Sequence, residues 1–192
     1  MPPTSFFLKQ RKILVNLLMM SVIWLASSFG YYLVLSLINT FDAIYVTGIT
    51  SSVSEMIAYV LSGLFYEKVG VKLSYILSFA VSTVGGVLIL AWGLDHQSSN
   101  WFFVFFLMAK FGITCCFNIN YLANAYFFPT LFAATAMGIC TFLARFASAF
   151  SYQVSAMEEP LPMYLFTAMC ALSAICPFFL KTEQVKTTPT EQ

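Results

Sequence analysis

Charge is what this 192-residue sequence has least of: Asp, Glu, Lys and Arg together make up 9% of it, against about 25% in an ordinary soluble domain. Too few polar residues remain to cover a globule in water. The net charge of +1, with no extended Lys/Arg cluster, excludes tracking a nucleic-acid backbone. Histidine occurs once, at His96. The five cysteines, Cys115, Cys116, Cys140, Cys170 and Cys176, stand in apolar runs without a CxxC pair, so neither a zinc site nor a disulfide framework is readable and they read as small buried hydrophobes. There is no Asn-x-Ser/Thr acceptor. The apolar runs hold no Ser/His arrangement, paired aspartates or metal-ligand cluster, so no enzyme activity, cofactor or metal is expected. What the sequence does have is 60% apolar and 18% aromatic residues and a mean hydropathy of +0.83. That surface must face lipid.

A helix that crosses a bilayer needs about 20 apolar residues, and six stretches qualify: 13–38, 43–65, 73–93, 101–125, 131–155 and 163–181. The breaks carry turn-forming or charged residues: Asn39 to Asp42, Tyr66 to Gly70, Asp95 to Asn100, Phe128 to Thr130 and Glu158 to Pro162. The expected organisation is an all-α, six-helix membrane bundle over 13–181, with a cytoplasmic segment 1–12 and a cytoplasmic tail 182–192. The first stretch exceeds the 7–15-residue core of a secretory signal and has no small-x-small cleavage site, so it reads as a retained anchor.

Basic residues near helix ends stay on the cytoplasmic side. Lys9, Arg11 and Lys12 precede the first span, Lys68 and Lys72 join the second to the third, and Lys181 and Lys186 follow the sixth. The alternate links hold Asp42, Asp95, Glu158 and Glu159 and no Lys or Arg. Both termini are therefore expected in the cytoplasm.

Three charges remain inside spans: Glu55, Lys110 and Arg145. Each costs roughly 2.5–3.5 kcal/mol at a helix centre, so each requires a partner or water. At about 1.5 Å per residue they lie about 18, 14 and 15 Å from the outer ends of spans two, four and five. Each sits in a polar stripe at helical spacing: Ser51, Ser52, Glu55, Tyr59, Ser62; Lys110, Thr114, Asn118, Tyr121; Thr141, Arg145, Ser148, Tyr152. Span one adds Trp24, Ser28, Tyr31 and Tyr32. Spans three and six have no ionisable group in their interiors and are expected at the periphery, facing lipid. Ser78, Ser82 and Gly86 form a small-xxx-small packing track. Two readings of the charges stay open: a ligand site, or a structural ion pair between helices. Two cations facing one anion leave one positive charge over, which favours an anionic ligand.

Gly63-Leu64-Phe65-Tyr66-Glu67-Lys68-Val69-Gly70-Val71-Lys72 resembles the G-x-x-x-D-[RK]-x-G-[RK]-[RK] loop of the major facilitator superfamily. In it Gly63 would allow close helix approach, Gly70 the tight turn, and the charges would clamp helix ends. The run from Ala109-Lys110 through Phe117-Asn118 and Pro129-Thr130 to Met137-Gly138 and Ala144-Arg145 is similar to the organic-ion transporter branch of that superfamily. So are Trp24, Tyr31-Tyr32 and the acid at Glu55. The resemblance spans about Arg11 to Leu180 and corresponds to the second six-helix half of a twelve-helix fold, whose first, second, fourth and fifth helices line the cavity. The branch's P-T motif has Glu and Arg where this chain has Tyr126 and Ala133.

The resemblance implies a carrier for a small organic ion working by alternating access against a second six-helix half, either an N-terminal bundle or another copy of the chain. Arg145 and Lys110 match basic positions of the anion-transporting members. Glu55, Lys110, Arg145, Trp24, Tyr31, Tyr32, Phe117 and Tyr121 are the expected substrate site, and Gly63, Glu67, Lys68, Gly70 and Lys72 the expected gate. A membrane subunit that kept the half-fold but lost the transport cycle is the alternative. For orientation, we expect cysteines introduced by Gln97→Cys and Gln192→Cys to label with an impermeant reagent only from outside and only from inside, respectively; external labelling at position 192 would overturn the topology.

Overall fold

A computed structural model describes residues 4–37, 44–93, 100–157 and 160–180. The links around Asp42, Asp95 with His96, and Glu158 with Glu159, together with Lys181, Lys186 and the tail, lie outside the described residues. Seven α-helices follow in chain order: α1 (Thr4–Leu37), α2 (Ile44–Val69), α3 (Val71–Leu88), α4 (Asn100–Phe127), α5 (Thr130–Ser155), α6 (Leu161–Ser173) and the short α7 (Cys176–Phe179). Six segments are long and apolar enough to cross a membrane: Arg11–Leu37, Thr47–Val69, Val71–Trp92, Trp101–Phe127, Phe132–Ser155 and Leu161–Phe179. They match the six stretches expected.

Four details differ from the sequence reading, each for a local reason. Helix α1 is already helical at Thr4, inside the expected terminal segment, because no Gly or Pro stands between Thr4 and the first apolar stretch. The break at Tyr66 to Gly70 shrinks to one residue: Gly70 at φ 86° is all that separates α2 from α3, a left-handed conformation open to glycine at little cost. Helix α3 widens into a π turn at Ile89–Gly93. The sixth span is not one helix, since Pro177 has no N–H to give the carbonyl of Ser173 and its ring crowds that carbonyl; the chain turns at Ala174 and Ile175 before α7 begins.

Helices α1 and α4 pack together at the centre, with α5 and α6 on α1 and α2 and α3 on α4. Around them α2 meets α3, α3 meets α6 and α6 meets α5, but α2 and α5 share no packed interface. The ring is open there. Half of the apolar windows of α1 and α4 is buried, against 17% for α2 and 22% for α5. Spans three and six, expected at the periphery, keep exposed apolar residues such as Leu73, Leu77, Val84, Leu165 and Leu172 and also give one face to the core. They are 44% and 39% buried, because Tyr75 and Phe79 of α3 and Phe166 of α6 form core with Ile23, Leu33, Ile113 and Ile119.

Small residues bring the rear helices together. A Cβ on Gly112 would lie 2.5 Å from the backbone nitrogen of Ser82 and 2.6 Å from the carbonyl of Ser78, and one on Gly85 2.6 Å from the nitrogen of Ala109. Ser82 Oγ donates to the Ala109 carbonyl at 3.0 Å. The track at Ser78 and Ser82 is therefore the face that meets α4, and Gly86 meets Thr167 of α6. Lipid supplies no hydrophobic drive between helices, so such close approach and buried polar links hold them. One link is Asn120, whose amide donates to Ser27 Oγ at 2.5 Å and accepts from Tyr75 Oη at 2.9 Å, joining α1, α3 and α4.

Gly112→Val should force α3 from α4 and cost at least about 1–3 kcal/mol, the usual range for overpacking. Gly63→Ala, whose Cβ meets nothing within 4 Å, should be neutral or stabilise by up to about 1 kcal/mol through helix propensity. Thermal unfolding in detergent would read both, and an unchanged melting temperature for Gly112→Val would contradict the packing.

Candidate functional site

The opening between α2 and α5 exposes polar stripes that the helical repeat places one above another. On α2, Ser51 and Glu55 are one turn apart and face Lys110 of α4. The Lys110 ammonium lies 3.1 Å from Glu55 Oε1, with side chains 3% and 19% exposed. The same ammonium donates to Ser51 Oγ. This is the one ion pair among the described residues.

Two neighbouring tyrosines of α1 divide their work, since consecutive helical residues point about 100° apart. Tyr31 Oη donates to Glu55 Oε1 at 2.8 Å, and Tyr32 Oη accepts from Arg145 Nη1 of α5 at 2.5 Å. The Arg145 guanidinium also lies 6.0 Å from the Tyr32 ring centre, within cation–π range. The chain of contacts therefore runs Lys110, Glu55, Tyr31, Tyr32, Arg145, across all four helices that border the opening. Arg145 has no acidic partner among the described residues.

An aromatic wall continues from this chain. Phe117 stacks on Tyr31 at 5.2 Å, and Trp24 meets Tyr121 at 4.9 Å and Phe117 at 6.1 Å, both edge-on. The indole N–H of Trp24 and the hydroxyl of Thr114 are buried with no hydrogen-bond partner among the described residues, which is costly. Two hollows result. One of about 320 Å³ is lined by Ser36, Gly48, Ser51, Ser52, Glu55, Lys110 and Tyr152, with Leu35. The other is a narrow cleft bordered by Trp24, Ser28, Phe117, Tyr121, Thr141 and Arg145. All eight residues expected at the substrate site stand along these two hollows or along the contacts joining them. Ser51, Ser36 and Tyr152 are added by the structure. Ser51 and Tyr152 already lay in the polar stripes, one turn before Glu55 and two turns after Arg145, and Ser36 is one turn beyond Tyr32.

The residues expected to gate lie elsewhere, at the single-residue turn between α2 and α3. Gly70 makes the turn as expected. Within the described residues the Cβ position of Gly63 is open, and Glu67, Lys68 and Lys72 form no ion pair with other described residues. Where the resembled P-T motif has an acid, Tyr126 sets its ring edge-on to Tyr66 of α2 at 6.5 Å. Where it has Arg, the Ala133 carbonyl accepts from Asn124 Nδ2 at 3.0 Å. Contacts between neutral groups thus occupy the place of a charge cluster. Among the described residues no group of three His, Cys, Asp or Glu is placed to hold a metal ion, and all five cysteines are free, four of them buried.

No family model matches the chain. It is 30% identical over 148 residues to a protein of Caenorhabditis elegans whose name describes it as a transporter, covering 77% of this chain and 30% of that protein. It is 27% identical over 176 residues to organic cation/carnitine transporter 2 of Mus musculus, covering 90% and 31% respectively. With solute carrier family 22 member 6-A of Xenopus laevis the figures are 28% over 178 residues, 88% and 31%. The chain spans less than a third of the length of these relatives, which agrees with a match to one six-helix half.

Unequal burial sets the expected stability of the ion pair. Glu55→Leu strands Lys110 in a nearly sealed site and should cost about 3 kcal/mol, at the low end for a broken buried pair. Lys110→Met leaves Glu55 with Tyr31 and a wet edge and should cost clearly less, and the double variant should recover most of the larger loss. Melting temperatures in lipid nanodiscs decide it; equal losses for the two single variants would refute the asymmetry.

Proposed function

We propose, from the kinship of this chain with the organic-ion transporters of the major facilitator superfamily, that it is one six-helix half of a membrane carrier for a small organic ion, preferentially an anion. The observation that carries this reading is the charge balance at the opening. Lys110 is neutralised by Glu55, whereas Arg145 reaches the same chain of contacts through Tyr32 with no counter-ion among the described residues. One positive charge is left over at membrane depth, beside an aromatic wall that suits an organic body. An anion supplies what is missing.

The exposed sides of α2 and α5 carry this polar opening, and at roughly 2.5–3.5 kcal/mol per charge it is not a surface for acyl chains. A second six-helix half, either an N-terminal bundle or another copy of the chain, would cover it and enclose substrate at the interface. Two copies with both termini in the cytoplasm would be related by an axis along the membrane normal. The turn at Gly63, Glu67, Lys68, Gly70 and Lys72 would then meet the second half at the inner face and gate it. Its unpaired charges and the open Cβ position of Gly63 support that assignment. A non-transporting subunit is the second reading, favoured by Tyr126 and Ala133 in place of the motif's two charges.

Permanently charged aromatic ions of similar size, benzenesulfonate and phenyltrimethylammonium, separate the possibilities. Loss of a charge-assisted hydrogen bond is worth about 1.5–3 kcal/mol, so Arg145→Ala should weaken benzenesulfonate binding by roughly 10- to 100-fold and leave the cation within about twofold. Equal losses for both ions would favour a purely structural role. In liposomes the purified chain should take up neither ion as a monomer, and a monomer that accumulates solute would overturn the need for a second half.

A further inference from the structure

Lys110 is sealed at the floor of the larger hollow, and the acceptors it touches, Ser51 and Glu55, both come from α2. Glu55 is the more accessible member of the pair, 19% exposed against 3%. An anion entering from Ser36, Ser52 and Tyr152 therefore meets a carboxylate before it meets the ammonium. Two negative charges cannot share one ammonium in a poorly hydrated pocket without strong repulsion. The ammonium has room for an external anion only if Glu55 gives up its charge.

We propose that Lys110 and Ser51 form an anion subsite whose tethered occupant is Glu55, and that an external monovalent anion enters it together with one proton, which Glu55 takes up. The inference rests on the carrier reading above and adds the coupling ion. Charge balances at each end of the step: Lys110 with ionised Glu55 is neutral, and Lys110 with the bound anion and protonated Glu55 is neutral as well. The Lys110–Glu55 site itself therefore stays neutral through the exchange, at a depth where added charge is costly, while Arg145 remains on Tyr32 outside it. The proton comes from the buffered solution, whose acid form gives it up, and goes to a Glu55 carboxyl oxygen. The Tyr31 hydroxyl that donates to the carboxylate can turn and accept from the acid, so this contact survives the exchange.

The other groups facing Glu55 leave it as the acceptor of that proton. Tyr31 and Tyr32 of α1, Tyr59 of α2 and Tyr152 of α5 offer phenols and Lys110 of α4 an ammonium, none of them an anion that a proton would neutralise. Arg145 stays a cation throughout and is held on Tyr32. Helix α3 contributes no residue to the hollow. Glu55 is the only carboxyl in this set.

The test is calorimetric titration of the 192-residue chain in lipid nanodiscs with benzenesulfonate and with phenyltrimethylammonium, from pH 5.5 to 8, where neither probe changes charge. Benzenesulfonate affinity should fall by up to about tenfold per pH unit as pH rises, the slope for one linked proton. The dependence of the binding heat on buffer ionisation enthalpy should report close to one proton taken up per anion. Glu55→Gln should bind benzenesulfonate with the low-pH affinity at every pH and take up no proton. Acid should not tighten phenyltrimethylammonium. Wild-type benzenesulfonate binding that is flat with pH and free of proton uptake would overturn the coupling and leave the anion-carrier reading standing. Failure of wild type and Glu55→Gln alike to bind benzenesulfonate at any pH would overturn both. Should Glu55→Gln not fold, the proton count on the wild-type chain decides alone.

Discussion

A charge inside a bilayer must be answered, and the Lys110–Glu55 pair is where this bundle answers it. Once Lys110 of α4 is fixed to Glu55 of α2, the faces those helices turn inward are determined, since each charge carries its stripe of polar neighbours one and two turns away. Tyr31 then has one position in which to reach Glu55, which sets the rotation of α1. Tyr32 follows, and with it the place where Arg145 of α5 finds a hydroxyl. Packing on the far side is of another kind. There glycine and serine let backbones of α3 and α4 approach until no Cβ fits between them, and Asn120 ties three helices by its side-chain amide. The front is ordered by charge and the rear by fit.

Much of this was legible in the sequence because the signals were strong. Six long apolar runs allow few folds, and three charges in a chain with so few stand out against the background. The polar stripes named the inward faces of α1, α2, α4 and α5, and the structure brings Glu55, Lys110, Tyr31, Tyr32 and Arg145 into one connected set. The pairing of Lys110 with Glu55, leaving Arg145 without an acid, was not readable, because residues at similar depth on three helices can pair in more than one way. Nor was the role of the rear helices. An absence of ionisable groups looks the same on a helix that faces lipid and on one buried in core, and Tyr75, Phe79 and Phe166 proved to be core. Buried amides such as Asn120 are missed for a related reason, as one polar residue per turn is common on any helix.

The interrupted sixth span shows how local chemistry overrules periodicity. Apolar content carries on through Ser173 to Phe179, but Pro177 removes a donor and the helix stops short. At Gly70 the reverse happens. A stretch that reads as a loop by its charges is almost wholly helical, because one residue at positive φ suffices to reverse the chain.

The adjacency of Tyr31 and Tyr32 gives the two outer walls of the opening a common pivot. Helices α2 and α5 share no packed interface among the described residues, yet each makes a hydrogen bond to one of two consecutive phenols of α1. The two walls thus share one support on unequal terms, for α5 also packs along α1 whereas α2 is joined to it through the Tyr31–Glu55 hydrogen bond.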